Sequence, residues 1–316
     1  MFDFVAKKKY SLILSGLVIL AGIVAMIVNG GLNLDVQFRG GTQIDIEMEN
    51  GDFDANAAAD VVFDAIGKRI IPQKSSTLDV TEGSRSINFL VIKSSGKLSE
   101  EERNKALDAI KNNFSVKEGG EMLVRDVDPS IGSELRNRGL LAVFVAVILL
   151  LIYIWIRFNI MSGLLAGFTA IIALAHDIAI MISVYALFSI PVNESFIAAV
   201  LTILGYSLND TIVIYDRIRE NTKISRKDTV EGIVNKSIMQ SMSRTINTTI
   251  TTVLCVLTIF LFAVYNGIGS IREFTFPILI GLISGTYSSI FIASPLWVMF
   301  RQGQARKKVA SKASKA

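Results

Sequence analysis

The sequence predicts a polytopic α-helical membrane protein of six transmembrane helices, with an α+β ferredoxin-like extracytoplasmic domain between helices 1 and 2. Three observations predict it. Apolar residues make up 51% of the 316 positions and gather in long runs, six of which can cross a bilayer. Charged residues make up only 19%, against about 25% in soluble domains, and most lie between those runs. Lysine and arginine concentrate in alternate connections, the asymmetry that sets membrane orientation.

Residues 1–29 are read as a short basic terminus and the first span. The run Tyr10–Val28 comes after Lys7, Lys8 and Lys9. It is long enough to span, and no small-x-small cleavage site separates it from the polar stretch beyond, so it reads as an uncleaved anchor.

Residues 30–138 form the inserted domain. Gln43–Met48 alternates polar and apolar with period two, a strand. Phe53–Ile66 places Ala57, Val61, Val62, Ala65 and Ile66 on one helical face. Thr77–Thr81 and Ser86–Ile92 read as strands joined by a Glu82-Gly83-Ser84 turn. Ser99 caps a second helix, Glu100–Phe114, and Glu102 completes a capping box. Glu121–Val127 supplies the last strand, and the order β-α-β-β-α-β is a ferredoxin-like unit. The single cysteine, Cys255, lies in a later apolar run, so no intramolecular disulfide braces the domain. The domain has no histidine either, and no nucleophile–base pair or metal cluster can be assembled in it, which argues against an enzyme. Two readings stay open: a rigid spacer or docking module, and a surface that handles an emerging unfolded chain.

Residues 139–300 hold spans two to six: Gly139–Ile156, Ser162–Phe188, Phe196–Tyr215, Ile238–Val264 and Phe274–Phe300, with a loop at about 216–240. That loop region carries Arg217, Arg219, Lys223, Arg226, Lys227 and Lys236, whereas Ser189–Ser195 has no base and Asn266–Glu273 only Arg272. Both termini are therefore expected on the cytoplasmic side and the domain outside. The same distribution explains the net charge of +4 without nucleic-acid binding, because the bases flank apolar runs. Residues 301–316, basic and rich in Ala, Ser and Lys, are expected to be disordered and to associate weakly with anionic lipid. Gly163-x-x-x-Gly167 and Gly281-x-x-x-Gly285 predict close helix packing, and Pro277 and Pro295 predict kinks in the last span.

Ionisable groups at bilayer depth are the candidate functional residues, since each costs about 2.5–3.5 kcal/mol on insertion scales. Asp210 lies about 21 Å along a helix from Phe196, inside the apolar layer. Arg244 lies about 9 Å into the fifth run and near the same level, so an ion pair broken by protonation is expected. The other reading of Arg244 is snorkelling to the surface. Asn209, Thr211, Ser243, Thr245 and Thr248 are the supporting polar residues. His176 and Asp177 sit midway along the third run, either as a proton relay or as a hydrogen-bonded pair that locks helices together.

These residues resemble the SecF family of protein-export membrane proteins (the SecD/SecF family, related to the RND transporter superfamily). Gly205-Tyr206-Ser207-Leu208-Asn209-Asp210-Thr211-Ile212-Val213-Ile214-Tyr215-Asp216-Arg217-Ile218-Arg219-Glu220-Asn221 is similar to the family's fourth-span signature. Ser243-Arg244-Thr245-Ile246-Asn247-Thr248 resembles the start of its fifth span, and His176-Asp177 recurs similarly in its third. Phe38-Arg39-Gly40-Gly41-Thr42 resembles the motif next after its first span, with Gln37 where the family usually has Asp. The resemblance implies half of an RND-like bundle in a bacterial or archaeal cytoplasmic (inner) membrane. It implies SecD as partner in a heteromeric complex, the SecYEG channel, YajC and unfolded preproteins as further partners, and H+ as coupling ion (Na+ in some members), without a cofactor. It implies Asp210 and Arg244 as proton-pathway residues.

Two alternatives belong to other classes: an RND-type small-molecule efflux transporter subunit, and a passive scaffold for SecD. No Gly-x-x-x-x-Gly-Lys-Ser/Thr loop occurs, so ATP-driven chemistry is not expected.

Overall fold

A computed structural model describes residues 3–79, 85–158, 163–224 and 227–313. Its helices are α1 (Lys8–Val28), α2 (Val36–Arg39), α3 (Ala55–Ile66), α4 (Glu100–Asn113), α5 (Pro129–Arg157), α6 (Gly163–Leu187), α7 (Glu194–Ile224), α8 (Val230–Tyr265), α9 (Gly269–Ser288) and α10 (Ser294–Ala313). A π-helical turn, Ser289–Ala293, joins the last two. Among the described residues, six helices are long and apolar enough to cross a membrane: α1, α5, α6, α7, α8 and the continuous α9–α10 rod.

The strands β1 (Gly41–Met48), β2 (Ile70–Asp79), β3 (Arg85–Ser95) and β4 (Met122–Val127) form one antiparallel sheet in the order β2-β3-β1-β4. That order, with α3 and α4 as crossovers, is the split β-α-β arrangement. Alternation in β1 turns Ile44, Ile46 and Met48 onto α3 and α4, where Val62, Ala106 and Ile110 close the core. The opposite face carries Asp45 and Glu47, which pair with Arg125 and Lys117. The capping box at Ser99 forms, with the Glu102 amide donating to Ser99 Oγ at 3.2 Å and the Ser99 amide to Glu102 Oε2 at 2.9 Å. β2 starts at Ile70, earlier than the alternation indicates. Pro72 hides it, and is tolerated because β2 is a sheet edge. The Glu82-Gly83-Ser84 turn and Ser162 lie outside the described residues.

The junction of domain and bundle depends on two glycines. Gly40 has φ +82° and a Cβ there would meet Pro129 at 2.8 Å; Gly41 has φ +147° and a Cβ would meet the Ser94 carbonyl at 2.1 Å. Only glycine fits such backbone. Phe38 between them and the first span is buried, and Asp35 caps α2 while pairing with Lys93 at 2.6 Å. Gln37, at the family's Asp position, lies against Glu194 instead. The sheet also rests on the α8–α9 turn, where the Ser76 amide donates to the Gly267 carbonyl at 2.8 Å.

Three helices extend past their apolar runs. α5 starts at Pro129, ten residues before the run that begins at Gly139, with Asp128 as N-cap and Pro129 at the first position, where its missing N–H costs nothing. α7 and α8 likewise continue into the segment 216–240, so the expected loop shrinks to residues 225–229, of which 225 and 226 are outside the described set. Beyond Phe300 the described chain continues as α10 to Ala313. A helix already nucleated propagates cheaply, and Ala, Lys and Arg are strong helix formers.

Candidate functional site

Close approach of α9 to α7 builds the site. A Cβ at Gly281 would meet Ile203 at 2.4 Å, and one at Gly285 would meet the Ser207 Cβ at 2.7 Å. These glycines let the two backbones approach, which brings the hydroxyls of α9 within reach of carboxylates on α6 and α7.

Asp177 on α6 is the more enclosed carboxylate, 1% exposed. Ser207 Oγ of α7 donates to its Oδ2 at 2.6 Å, Ser288 Oγ of α9 to the same oxygen at 2.9 Å, and Ser284 Oγ to Oδ1 at 2.7 Å. His176 Nδ1 lies 3.2 Å from Oδ1. Three serine hydroxyls from α7 and α9 thus donate to one buried carboxylate, with the His176 ring beside it, as a low-dielectric interior requires of a buried polar group. His176 Nε2 is buried without a partner among the described residues, and the ring lies 6.0 Å from that of Tyr287.

Asp210 on α7 is 2% exposed and is held more sparsely. Its Oδ2 accepts from Thr286 Oγ1 of α9 at 3.1 Å. Thr286 Oγ1 also lies 3.1 Å from the Leu282 carbonyl and 2.6 Å from Thr249 Oγ1 of α8. The Tyr206 hydroxyl reaches Thr249 at 3.5 Å. A chain of hydroxyls therefore runs from Asp210 through α9 to α8.

The π-helical turn flanks both groups. Pro295 cannot donate to the Phe291 carbonyl, and its ring would crowd that oxygen in a regular helix. The widened turn relieves the crowding, and Ser11 Oγ of α1 donates to the Phe291 carbonyl at 3.2 Å. Ser289, in the same turn, bonds Thr211 Oγ1 at 2.8 Å and the Ser207 carbonyl at 3.2 Å.

The expected Asp210–Arg244 pair does not form. Arg244 is exposed and makes no side-chain hydrogen bond or ion pair among the described residues. Its neighbours divide by face. Thr245 is buried with its Oγ1 unpartnered, whereas Ser243 and Thr248 are exposed, Thr248 donating to the Arg244 carbonyl at 2.8 Å. Of the α7 residues, Thr211 joins the buried network, while Asn209 is exposed. The sequence reading missed Ser207, Ser284, Ser288 and Thr286. Ser284 within the Gly281-x-x-x-Gly285 motif, and Thr286 and Ser288 just after it, were the available signal.

Fold and site together define a polytopic helical membrane protein with two carboxylates buried in its bundle and one α+β domain beside it. The chain matches the family described as "Protein export membrane protein SecD/SecF, C-terminal" over residues 107–303. It is 35% identical over 309 residues to the protein translocase subunit SecF of Alicyclobacillus acidocaldarius, covering 97% of this chain and 95% of that one. It is 37% identical over 300 residues to the SecF of Petrotoga mobilis, covering 93% and 94%. Among solved structures it is similar to SecDF, a translocon-associated membrane protein from Thermus thermophilus, with TM-score 0.77 and 31% identity. That match covers 95% of this chain and 39% of the SecDF chain, so this chain spans well under half of that relative. The chain belongs to the SecD/SecF family.

Proposed function

We propose that the chain is an auxiliary, SecF-type subunit of the Sec protein translocase that works with a SecD half and uses the proton-motive force to promote preprotein translocation across the cytoplasmic membrane. The observation that carries the proton reading is the contrast between the two carboxylates. Asp177 has four partners; Asp210 has one hydroxyl, and that hydroxyl has another acceptor within reach. A hydroxyl has one hydrogen and can donate or accept. With Asp210 ionised, Thr286 donates to it. With Asp210 protonated, the acid donates to Thr286, whose hydrogen turns to the Leu282 carbonyl, and the Thr286 oxygen then accepts from both Asp210 and Thr249. Protonation is thereby felt at the Thr286–Thr249 contact that joins α9 to α8, where the Thr286 oxygen gains a second donor. An inward proton releases about 2.3 kcal/mol per 100 mV, comparable with a few such hydrogen bonds.

In this reading Asp177 and His176 lock α6, α7 and α9 together rather than relay protons. Arg244 acts from the face that a partner covers. Arg244, Thr248, Thr251, Cys255 and Thr258 form one exposed stripe along α8. A guanidinium facing lipid at this depth is costly, and a covering helix that supplies an acceptor would remove that cost more fully than snorkelling. A SecD half is the natural cover, since the SecDF relative of Bacillus subtilis matches this chain over only 39% of its own length. SecYEG, YajC and preproteins as further partners, an inner-membrane location with cytoplasmic termini, H+ (Na+ in some members) as coupling ion, and the absence of enzymatic activity rest on family resemblance and charge distribution.

The test is Asp210→Asn in membrane vesicles carrying the SecD partner and the channel. Potential-dependent translocation is expected to vanish while ATP-driven insertion and SecD co-purification persist. A full response to an imposed proton gradient would refute the proton role.

A further inference from the structure

The second half of the fourth-span signature, Asp216 to Asn221, takes no part in the buried network, yet it makes an organised charged cluster where α5 ends. Phe158 caps α5 and is fully buried, its ring edge-on to Tyr215 at 5.8 Å between centroids. Tyr215 is itself fixed by its hydroxyl, 2.7 Å from Thr169 Oγ1. Two guanidiniums converge on the Phe158 ring, Arg157 at 5.5 Å and Arg219 at 6.0 Å. Both also reach Asp216: Arg157 Nη2 lies 3.0 Å from Oδ2 and Arg219 Nη2 2.9 Å from Oδ1.

Two cations held on one carboxylate leave one positive charge unbalanced. They also leave donors unspent, because each guanidinium carries five N–H groups. Asp216 Oδ1 accepts no hydrogen bond in spite of the 2.9 Å contact, so the Arg219 N–H groups are not aimed at it. The next acid along the helix, Glu220, is engaged by Arg217 Nη1 at 2.7 Å, and Arg217 Nε bonds Gln240. The cluster stands at headgroup depth. Arg157 ends the apolar run of α5, and Tyr153, Trp155 and Ile156 on its last turn are exposed, the aromatic girdle of a membrane–water boundary.

We propose that Arg157 and Arg219, preset on Phe158 and Asp216, form a binding site for the phosphate of an anionic phospholipid headgroup. The planar forks match phosphate oxygens bidentately, and the stacked ring fixes the forks before the lipid arrives. The site does not depend on the proton role of Asp210.

The test uses the full chain in detergent, delipidated and then titrated with phosphatidylglycerol, with bound lipid counted by native mass spectrometry. Arg157→Gln/Arg219→Gln is expected to weaken retention about tenfold or more, from the loss of two interfacial cations. Arg217→Gln, which removes a neighbouring charge already engaged by Glu220 and Gln240, is expected to retain it. Phosphatidylcholine is expected to bind weakly to both. Equal retention by the double variant, or equal loss in Arg217→Gln, overturns the site. Displacement of the lipid by millimolar inorganic phosphate overturns the lipid as its occupant. Should the double variant fail to fold, Arg157→Gln alone leaves the Arg219–Asp216 pair in place and carries the same test, with a loss of about threefold or more expected.

Discussion

Gly285→Ala tests whether the α7–α9 contact is what assembles the Asp177 cradle. The new Cβ would lie 2.7 Å from the Ser207 Cβ and 3.2 Å from its Cα, and backbone on both sides cannot rotate away. Carbon atoms settle at about 3.5–4.0 Å, so α9 must retreat by about 1 Å. The hydroxyls of Ser284 and Ser288, now at 2.7 and 2.9 Å from Asp177, would then stand beyond hydrogen-bond distance. Two hydrogen bonds to a charged group are worth about 3–6 kcal/mol together, against which alanine's helix propensity returns about 1 kcal/mol. The expected net destabilisation is about 2–5 kcal/mol, read from denaturant unfolding in mixed micelles through the buried Trp297. Gly205→Ala is the control, because nothing lies within 4 Å of its Cβ position. It should stabilise by up to about 1 kcal/mol. In the Asp177→Asn background the cost of Gly285→Ala should fall by more than half. A Gly285→Ala protein as stable as the parent, or full additivity with Asp177→Asn, would refute the argument.

Asp35→Asn leaves Lys93 buried without its counter-charge and should cost about 3–5 kcal/mol in the same unfolding assay, most of it restored by adding Lys93→Met. The Asp128 carboxyl is held below its ordinary value by hydrogen bonds from the side chain and then the backbone of Ser130. A depressed carboxyl contributes stability above its unfolded value near pH 4 and loses it as pH falls through the lower folded value. Amide exchange at Ser130 should therefore accelerate, beyond the intrinsic pH effect, below about pH 4, and Asp128→Asn should remove that pH dependence. An unchanged profile in the variant would refute the capping role.

Helical periodicity, strand alternation and the capping box gave the domain's order, because each is a local signal tied to which face is buried. β2 escaped because an edge strand needs neither strict alternation nor the N–H that Pro72 lacks. Rise per residue gives position along a span, but not direction around the helix. Thr249 faces Thr286, and Arg244 stands five residues earlier, about 140° around the helix at 100° per residue. Arg244 is therefore offset from Thr249, the α8 residue linked to Asp210, by about 7.5 Å along the axis as well as in direction. The serine cradle was invisible for another reason. Ser207, Ser284 and Ser288 are unremarkable singly, and only the Gly281 and Gly285 contacts set them around one carboxylate.

The two carboxylates divide the bundle into a part that must hold and a part that can give. Asp177 ties α6 to α7 through Ser207 and to α9 through Ser284 and Ser288, so separating any of these helices strips partners from a buried charge. α8 is bound differently. It lies mostly exposed, and hydroxyls join it to the polar chain at Thr249 through contacts that have alternative acceptors: Thr249 Oγ1 lies 2.9 Å from its own helix's Thr245 carbonyl as well as 2.6 Å from Thr286. Breaking that link orphans no charge, because each hydroxyl falls back on an intrahelical carbonyl. In the proposed proton reading a change at Asp210 reaches α8 through Thr286 and Thr249, and the opposite side of α8 carries Arg244. In that reading, the residue that failed to pair with Asp210 stands on the helix that the hydroxyl chain joins to Asp210.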